Sequence, residues 1–258
     1  MVLTYLYRPI KYFLMTFLAT WIPWFIAAYL SYQKGTEVYQ LILIIFGLFA
    51  PCTIAIMMIY AAKNKELIQD FWDRLNFNHI QSRFFPVLWL LIPFILVFAT
   101  ALSLLFGQSL EQFTLSKEFF NIYGRDFASI IIIVISPFVA PVGEELGWRG
   151  YGVDSIRSRM TLFMTSLLFA CIWAVWHLPL FFIRGFYENV IWNTSIIYVI
   201  NFFVGTLVDT FLINWVYYKN NRNIVTSILL HFMINRYNQP ADPVYQLQPP
   251  HPICGATL

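Results

Sequence analysis

The chain has 258 residues, of which 59% are hydrophobic and only 11% charged, with a net charge of +3. Soluble domains carry roughly 25% charged residues, so a water-soluble globular protein is excluded, and so small a net charge gives no basis for a nucleic-acid partner. The apolar residues fall in blocks of about twenty, enough to cross a bilayer, which predicts an all-α, polytopic transmembrane bundle of seven to eight helices.

The first block is Phe13–Tyr32, preceded by Arg8 and Lys11. It is too long for a signal-peptide core and lacks a convincing cleavage site, so it reads as an uncleaved first span. The second runs from Val38 to Ala62. Between Lys63 and Arg83, Leu67, Phe71 and Leu75 repeat at i,i+4 among charges. That pattern suits an amphipathic helix on the membrane surface or a short soluble connecting helix. A third span covers Phe84–Phe106, and a polar link with Glu111, Lys117, Glu118 and Arg125 follows. The fourth begins near Phe127, passes Pro137 and Pro141, and ends in Pro-Val-Gly-Glu-Glu-Leu-Gly-Trp-Arg-Gly-Tyr-Gly at 141–152. The fifth is Thr161–Ile183, the sixth Thr194–Tyr218, and a shorter seventh runs from Ile224 to about Tyr237. The tail, Asn238–Leu258, is polar and proline-rich and reads as extended. The chain shows no internal repeat and reads as one membrane-embedded unit over 1–258, its motifs within 127–237. Cys52 and Cys171 lie in apolar segments and Cys254 in the tail, with no disulfide framework. Four residues follow Cys254, so the chain does not read as a prenylation substrate itself.

A cytoplasmic N-terminus places eleven of the lysines and arginines inside and five outside, which favours that orientation and puts the turn after 141–152 in the cytoplasm. Ionisable residues within the membrane are costly and mark function by default. On a helix Glu145 and Arg149 are i,i+4 and can pair, while Glu144 is rotated about 100° away with no local cation. If spans four and five turn near Met160, Glu144 lies 16 residues before the turn and His177 lies 17 after it. Antiparallel neighbours would bring the two level. His231 lies about seven residues beyond the Lys219–Asn223 loop, roughly 10 Å deep at 1.5 Å per residue. The depths agree if the 145–165 hairpin projects into the cytoplasm. An intramembrane cavity open to the cytoplasm is therefore expected. Asp209 lies near the same depth, but Asp209 and Asn214 read better as hydrogen-bonding glue between helices.

Glu-Glu-x-x-x-Arg at 144–149, Trp173-x-x-x-His177 and His231-x-x-x-Asn235 together resemble the three motifs of the CAAX-prenyl-protease and bacteriocin-processing (CPBP, or Abi) family of intramembrane glutamic endopeptidases. The strings Pro-x-Gly-Glu-Glu-x-Gly-Trp-Arg-Gly and Trp-Ala-Val-Trp-His-Leu-Pro resemble its bacterial and archaeal branch, which implies a prokaryotic plasma membrane. The motifs span about 95 residues in the family's order and spacing; the first 120 residues match only as a pattern of spans. Two departures stand out. The family's usual eighth helix has no counterpart in the polar tail, and Trp173 stands where Phe is commoner.

The chemistry these residues suit is peptide hydrolysis without a covalent intermediate, since neither Ser155 nor Cys171 sits where the carboxylates and histidines converge. Glu144 is assigned as the base that activates water, with His177 holding or deprotonating that water. Glu145 and Arg149 fix the geometry, and His231 and Asn235 donate to the oxyanion. The resemblance implies these same roles, and a prenylated or otherwise hydrophobic peptide as substrate. No cofactor is expected. The rival is a zinc enzyme in which Glu144, His177 and His231 bind the metal, although Asn235 is a poor zinc ligand and no close His-x-x-x-His spacing is present. From another class, a non-catalytic bacteriocin-immunity or peptide-binding membrane protein remains; a transporter would more often show a repeat.

Overall fold

A computed structural model describes residues 7–110 and 127–238. These residues are helical, with no strand among them. In chain order the helices are α1 (Pro9–Leu30), α2 (Glu37–Leu48), α3 (Ala50–Ala61), α4 (Lys65–Asp73), α5 (Phe85–Ser103), α6 (Phe127–Gly147), α7 (Val153–Arg157), α8 (Leu162–Trp176), α9 (Tyr187–Thr194), α10 (Ile196–Lys219) and α11 (Ile224–Asn238). Four stretches are long and apolar enough to cross a membrane: Pro9–Leu30, Ser82–Phe106, Leu162–Phe182 and Ile196–Lys219. The pair α2 and α3, bent by 41°, makes a fifth if it is one broken span. The other two expected spans are present as helices, α6 and the shorter α11. The 111–126 link, including Glu111, Lys117, Glu118 and Arg125, and the 239–258 tail with Cys254 lie outside the described residues. Any eighth helix in that tail lies outside them too.

The break in the second span follows from one residue. Pro51 has no N–H, so the carbonyl of Gly47, four residues earlier, loses its helical donor. The Thr20 hydroxyl on α1 supplies a replacement at 3.0 Å. The same region is packed at backbone distance, because a Cβ on Gly147 of α6 would collide with the backbone of Pro51. Only glycine lets α6 approach α3 that closely.

Aromatic rings hold α1 against α8. Trp24 and Trp176 lie 4.6 Å apart and Trp148 and Trp176 lie 5.4 Å apart. Trp176 donates to Thr20 at 3.0 Å, and Trp21 donates to the Trp176 carbonyl at 3.2 Å. In lipid, where apolar burial gives little drive, packing of this kind supplies the association, at about 0.5–1.5 kcal/mol per aromatic pair.

Two features go beyond the sequence-based reading. The connection at 184–193 contains α9, whose Ile191 is buried with Phe181 and Val199. The hairpin after α6 turns at Ser158–Thr161, close to Met160, yet its body is buried. Trp148–Gly152 form a π-helical turn, and 148–156 are shielded while Arg157–Met160 are exposed. The covering element is α4, an amphipathic helix whose Leu67 and Phe71 point inward. Phe71 lies against Gly150.

Just beyond α4, Arg74 turns into the hairpin and donates to the carbonyls of Arg149 at 2.8 Å and Gly150 at 3.0 Å. It also pairs with Asp154 at 2.9 Å and with Asp70 at 2.9 Å. Arg222, held in a left-handed turn with φ +61°, bridges the same two carboxylates, at 2.6 Å to Asp154 and 2.8 Å to Asp70. Burial alone would raise the Asp154 carboxyl, but Arg222 and Arg74 outweigh it and hold it below the usual carboxylate range. Removing one member of a buried charge network leaves the others uncompensated. Asp154→Asn should therefore cost about 3 kcal/mol of stability, read as a lowered unfolding temperature in detergent. An unchanged transition would show that the network is energetically neutral.

Candidate active site

Residues from four helices meet below the π-helical turn. The i,i+4 spacing on α6 carries Arg149 over Glu145, and Nη1 donates to both carboxylate oxygens at 2.8 Å. Both side chains are completely buried. The rest of the guanidinium is also satisfied. Asn214 on α10 accepts from Nε at 3.2 Å and Nη2 at 3.1 Å, and the Phe169 ring lies 5.2 Å from the charge. Asn214 in turn donates to Ser166 on α8 at 3.0 Å. Asn214 thus joins α10, α8 and the turn, the helix-bridging part that the sequence suggested for it. Glu145 has one more partner: His231 on α11, whose Nδ1 lies 2.8 Å from Oε1.

Glu144 meets entirely different surroundings. No cation pairs with it among the described residues. Its Oε2 accepts from the indole of Trp173 at 2.8 Å and from that of Trp148 at 3.4 Å. Two N–H donors hold one oxygen, and Oε1 has no protein donor among the described residues. The sequence pointed to Glu144 as the uncommitted carboxylate; the structure adds that it is anchored.

Trp173 is the centre of the arrangement. Its ring lies 5.5 Å from the His177 ring and 5.3 Å from the His231 ring, edge-on to the latter. Its carbonyl faces His177 Nδ1 at 2.7 Å. A carbonyl can only accept, so Nδ1 carries the proton and Nε2 presents a lone pair. α8 ends at His177, since Pro179 forbids a further α-helical turn. Glu144 and His177 both contact Trp173, so α6 and α8 are in the register that the hairpin count required. Asn235, one turn beyond His231 on α11, is half-buried and makes no hydrogen bond among the described residues. Asp209 on α10 is likewise half-buried and unbonded among them.

Sequence reasoning missed two participants. Trp173 entered only as the aromatic of a motif, because the spacing of a ring and a histidine does not reveal that the indole N–H reaches another helix. Glu188, near the start of α9, was not singled out. It is buried. Burial pushes its carboxyl up to about 7; its own backbone N–H opposes this, and the charge of Glu144 adds to the rise. Among the described residues no three of His, Cys, Asp and Glu are grouped to hold a metal ion. Glu144 and Nδ1 of each histidine are instead engaged by Trp173, Trp148 and Glu145.

The family model described as "Type II CAAX prenyl endopeptidase Rce1-like" matches residues 126–237, the stretch that holds all three motifs. CAAX prenyl protease 2 of Methanococcus maripaludis is 39% identical over 236 residues, covering 91% of this chain and 85% of that protein.

Two variants test the geometry. Trp173→Phe keeps the ring and deletes the N–H that holds Glu144. A hydrogen bond to a charged group contributes about 1.5–3 kcal/mol, so kcat for peptide cleavage should fall roughly ten- to hundredfold. KM and the unfolding temperature should stay near those of the parent. An unchanged kcat would show that the indole N–H is not used. For Glu188, the folded protein binds more protons than the unfolded chain between its ordinary value of 4.5 and about 7, so stability falls as pH rises through that window. Glu188→Gln should flatten this dependence and stabilise the protein at pH 8 by up to about 3 kcal/mol, measured as unfolding temperature against pH.

Proposed function

The chain belongs to the family of type II CAAX prenyl endopeptidases, and from that premise we propose that it cleaves a peptide bond near the C-terminus of prenylated, CAAX-type proteins by glutamate-activated water. Family and apolar helices together make it an integral membrane protein. In the proposed setting, a prokaryotic plasma membrane, the N-terminus and the opening to the site face the cytoplasm, where a lipid-anchored peptide end would arrive.

The observation that carries the mechanism is the contrast between adjacent carboxylates. Glu145 is committed to Arg149 and His231, whereas Glu144 is anchored on one oxygen and has the other available. A water between Glu144 Oε1 and His177 Nε2 loses a proton to this pair as its oxygen attacks the scissile carbonyl. The negative charge moves to the carbonyl oxygen, where His231 Nε2–H and the Asn235 amide donate to it. Glu145 stands as counter-ion to a cationic His231. When the tetrahedral intermediate collapses, the C–N bond breaks and the proton passes to the departing amine. No acyl-enzyme forms. Such donors are worth roughly 3–4 kcal/mol each in other enzymes.

Glu144→Ala should abolish cleavage and leave folding nearly intact, because it removes a base that, among the described residues, is held by two indoles. Glu145→Ala should abolish activity and also destabilise, since Arg149 then lies buried without its counter-ion. A panel of farnesylated and unmodified peptides, with activity and unfolding followed in detergent, checks both; full cleavage by Glu144→Ala would overturn the assignment. On a glutamate mechanism 1,10-phenanthroline should leave activity unchanged at modest concentration. Stoichiometric zinc that is lost together with activity, and restores it on return, would decide for a metalloprotease.

A further inference from the structure

Between them α1 and α8 leave a groove, whose lining does not include Trp173, of roughly 700 Å³, within the range of about 300–1,000 Å³ typical of ligand sites. Its walls are apolar, formed by residues such as Ile10, Leu14 and Trp21 of α1 and Leu168 and Ile172 of α8. It runs along α1 from Pro9 to Trp21, about 18 Å at 1.5 Å per residue, close to half of the roughly 30 Å hydrocarbon core. The groove is thus one leaflet deep. Toward the hairpin it meets a second hollow of about 640 Å³ at the hairpin's tip, and the two share Arg159 and Met160. That hollow is lined also by Arg157, Ser158 and Thr161, with Leu162 and Met164 on its apolar side.

The charges at this junction are distinctive. Arg74, Arg149 and Arg222 each face a carboxylate. Arg157 and Arg159 form no ion pair among the described residues; each uses one nitrogen on a backbone carbonyl, Met160 at 2.6 Å and Tyr7 at 3.1 Å. Arg8 and Lys11, which flank the lining residues Pro9 and Ile10 in the chain, are exposed and likewise unpaired with carboxylates. A leaflet-deep apolar slot capped by uncompensated cations has the polarity of one class of molecule. We propose that the groove is a resident site for an anionic membrane phospholipid, its acyl chain between α1 and α8 and its phosphate over Arg157 and Arg159. The site stands apart from catalysis and does not depend on the mechanism above.

Native mass spectrometry of the full chain in detergent, titrated with phosphatidylglycerol or phosphatidylcholine of identical chains, tests this directly. One phosphatidylglycerol should be retained about five- to thirtyfold better than phosphatidylcholine, the scale expected of one or two surface cations. Arg157→Gln with Arg159→Gln should abolish the preference while the lipid-free unfolding temperature stays at the parent value. Leu168→Trp, which fills the slot and leaves the cations, should reduce retention of both lipids. Glycerol 3-phosphate should neither bind nor compete, because without a chain it cannot use the slot. Equal retention of the two lipids by the parent, or a preference that survives in the double variant, would overturn the proposal. So would displacement of bound lipid by a stoichiometric farnesylated peptide, which would assign the groove to the substrate's chain. Stronger lipid retention on deleting residues 2–6 would assign it instead to the N-terminal segment.

Discussion

A completely buried ion pair has to be surrounded by the right groups or it cannot exist in a membrane. Glu145 and Arg149 are such a pair, and desolvating two charges costs several kcal/mol per ion unless geometry and further hydrogen bonds offset it. The offsets come from everywhere in the bundle: Asn214 from α10, Phe169 from α8 and His231 from α11. Each contact satisfies the pair and at the same time fixes one helix. The carbonyl of Arg149 extends the network outward, since it accepts from Arg74 and from Tyr217. Two charge clusters, one within the bundle and one beneath α4, are thereby joined through a single residue.

Against that rigid frame, the difference between two consecutive glutamates becomes intelligible. A rotation of about 100° between neighbours on a helix takes one carboxylate to an arginine and the other to two indoles. The π-helical turn after Gly147 lies at the point where this difference is used. Turns of this type often mark functional sites, and here Trp148 and Arg149 both stand on it. The turn therefore delivers a donor to Glu144 and a counter-ion to Glu145 from adjacent positions.

Much of this arrangement could be read in the sequence, and the reason is the membrane. Apolar blocks of fixed length show the spans, and a charge inside one announces itself, so Glu144, Glu145, Arg149, His177 and His231 stood out. Local pairing at i,i+4 followed from helix geometry. The missed features involve contacts between distant segments made by residues with an ordinary local reason to be present. A tryptophan in an apolar helix needs no explanation, so the cross-helix bond of Trp173 left no trace. Arg74 and Arg222 counted as positive-inside charges, which concealed their pairing with the buried Asp154. The packing of the hairpin's body left as little trace: its charge pattern was visible, but the cover provided by α4 was not.

The position of His231 near the end of the described chain has a consequence for biosynthesis. Helices enter the membrane in order of translation, so α6 and α8 arrive with Glu144, Trp173 and His177 while α11 is still to come. Until it docks, Glu145 lacks the partner seen at 2.8 Å, and the donors assigned to the oxyanion are absent. A ribosome-bound or truncated chain thus carries the glutamates without the histidine opposite them. The Glu145–His231 contact therefore forms only after α6, α8 and α10 have been made.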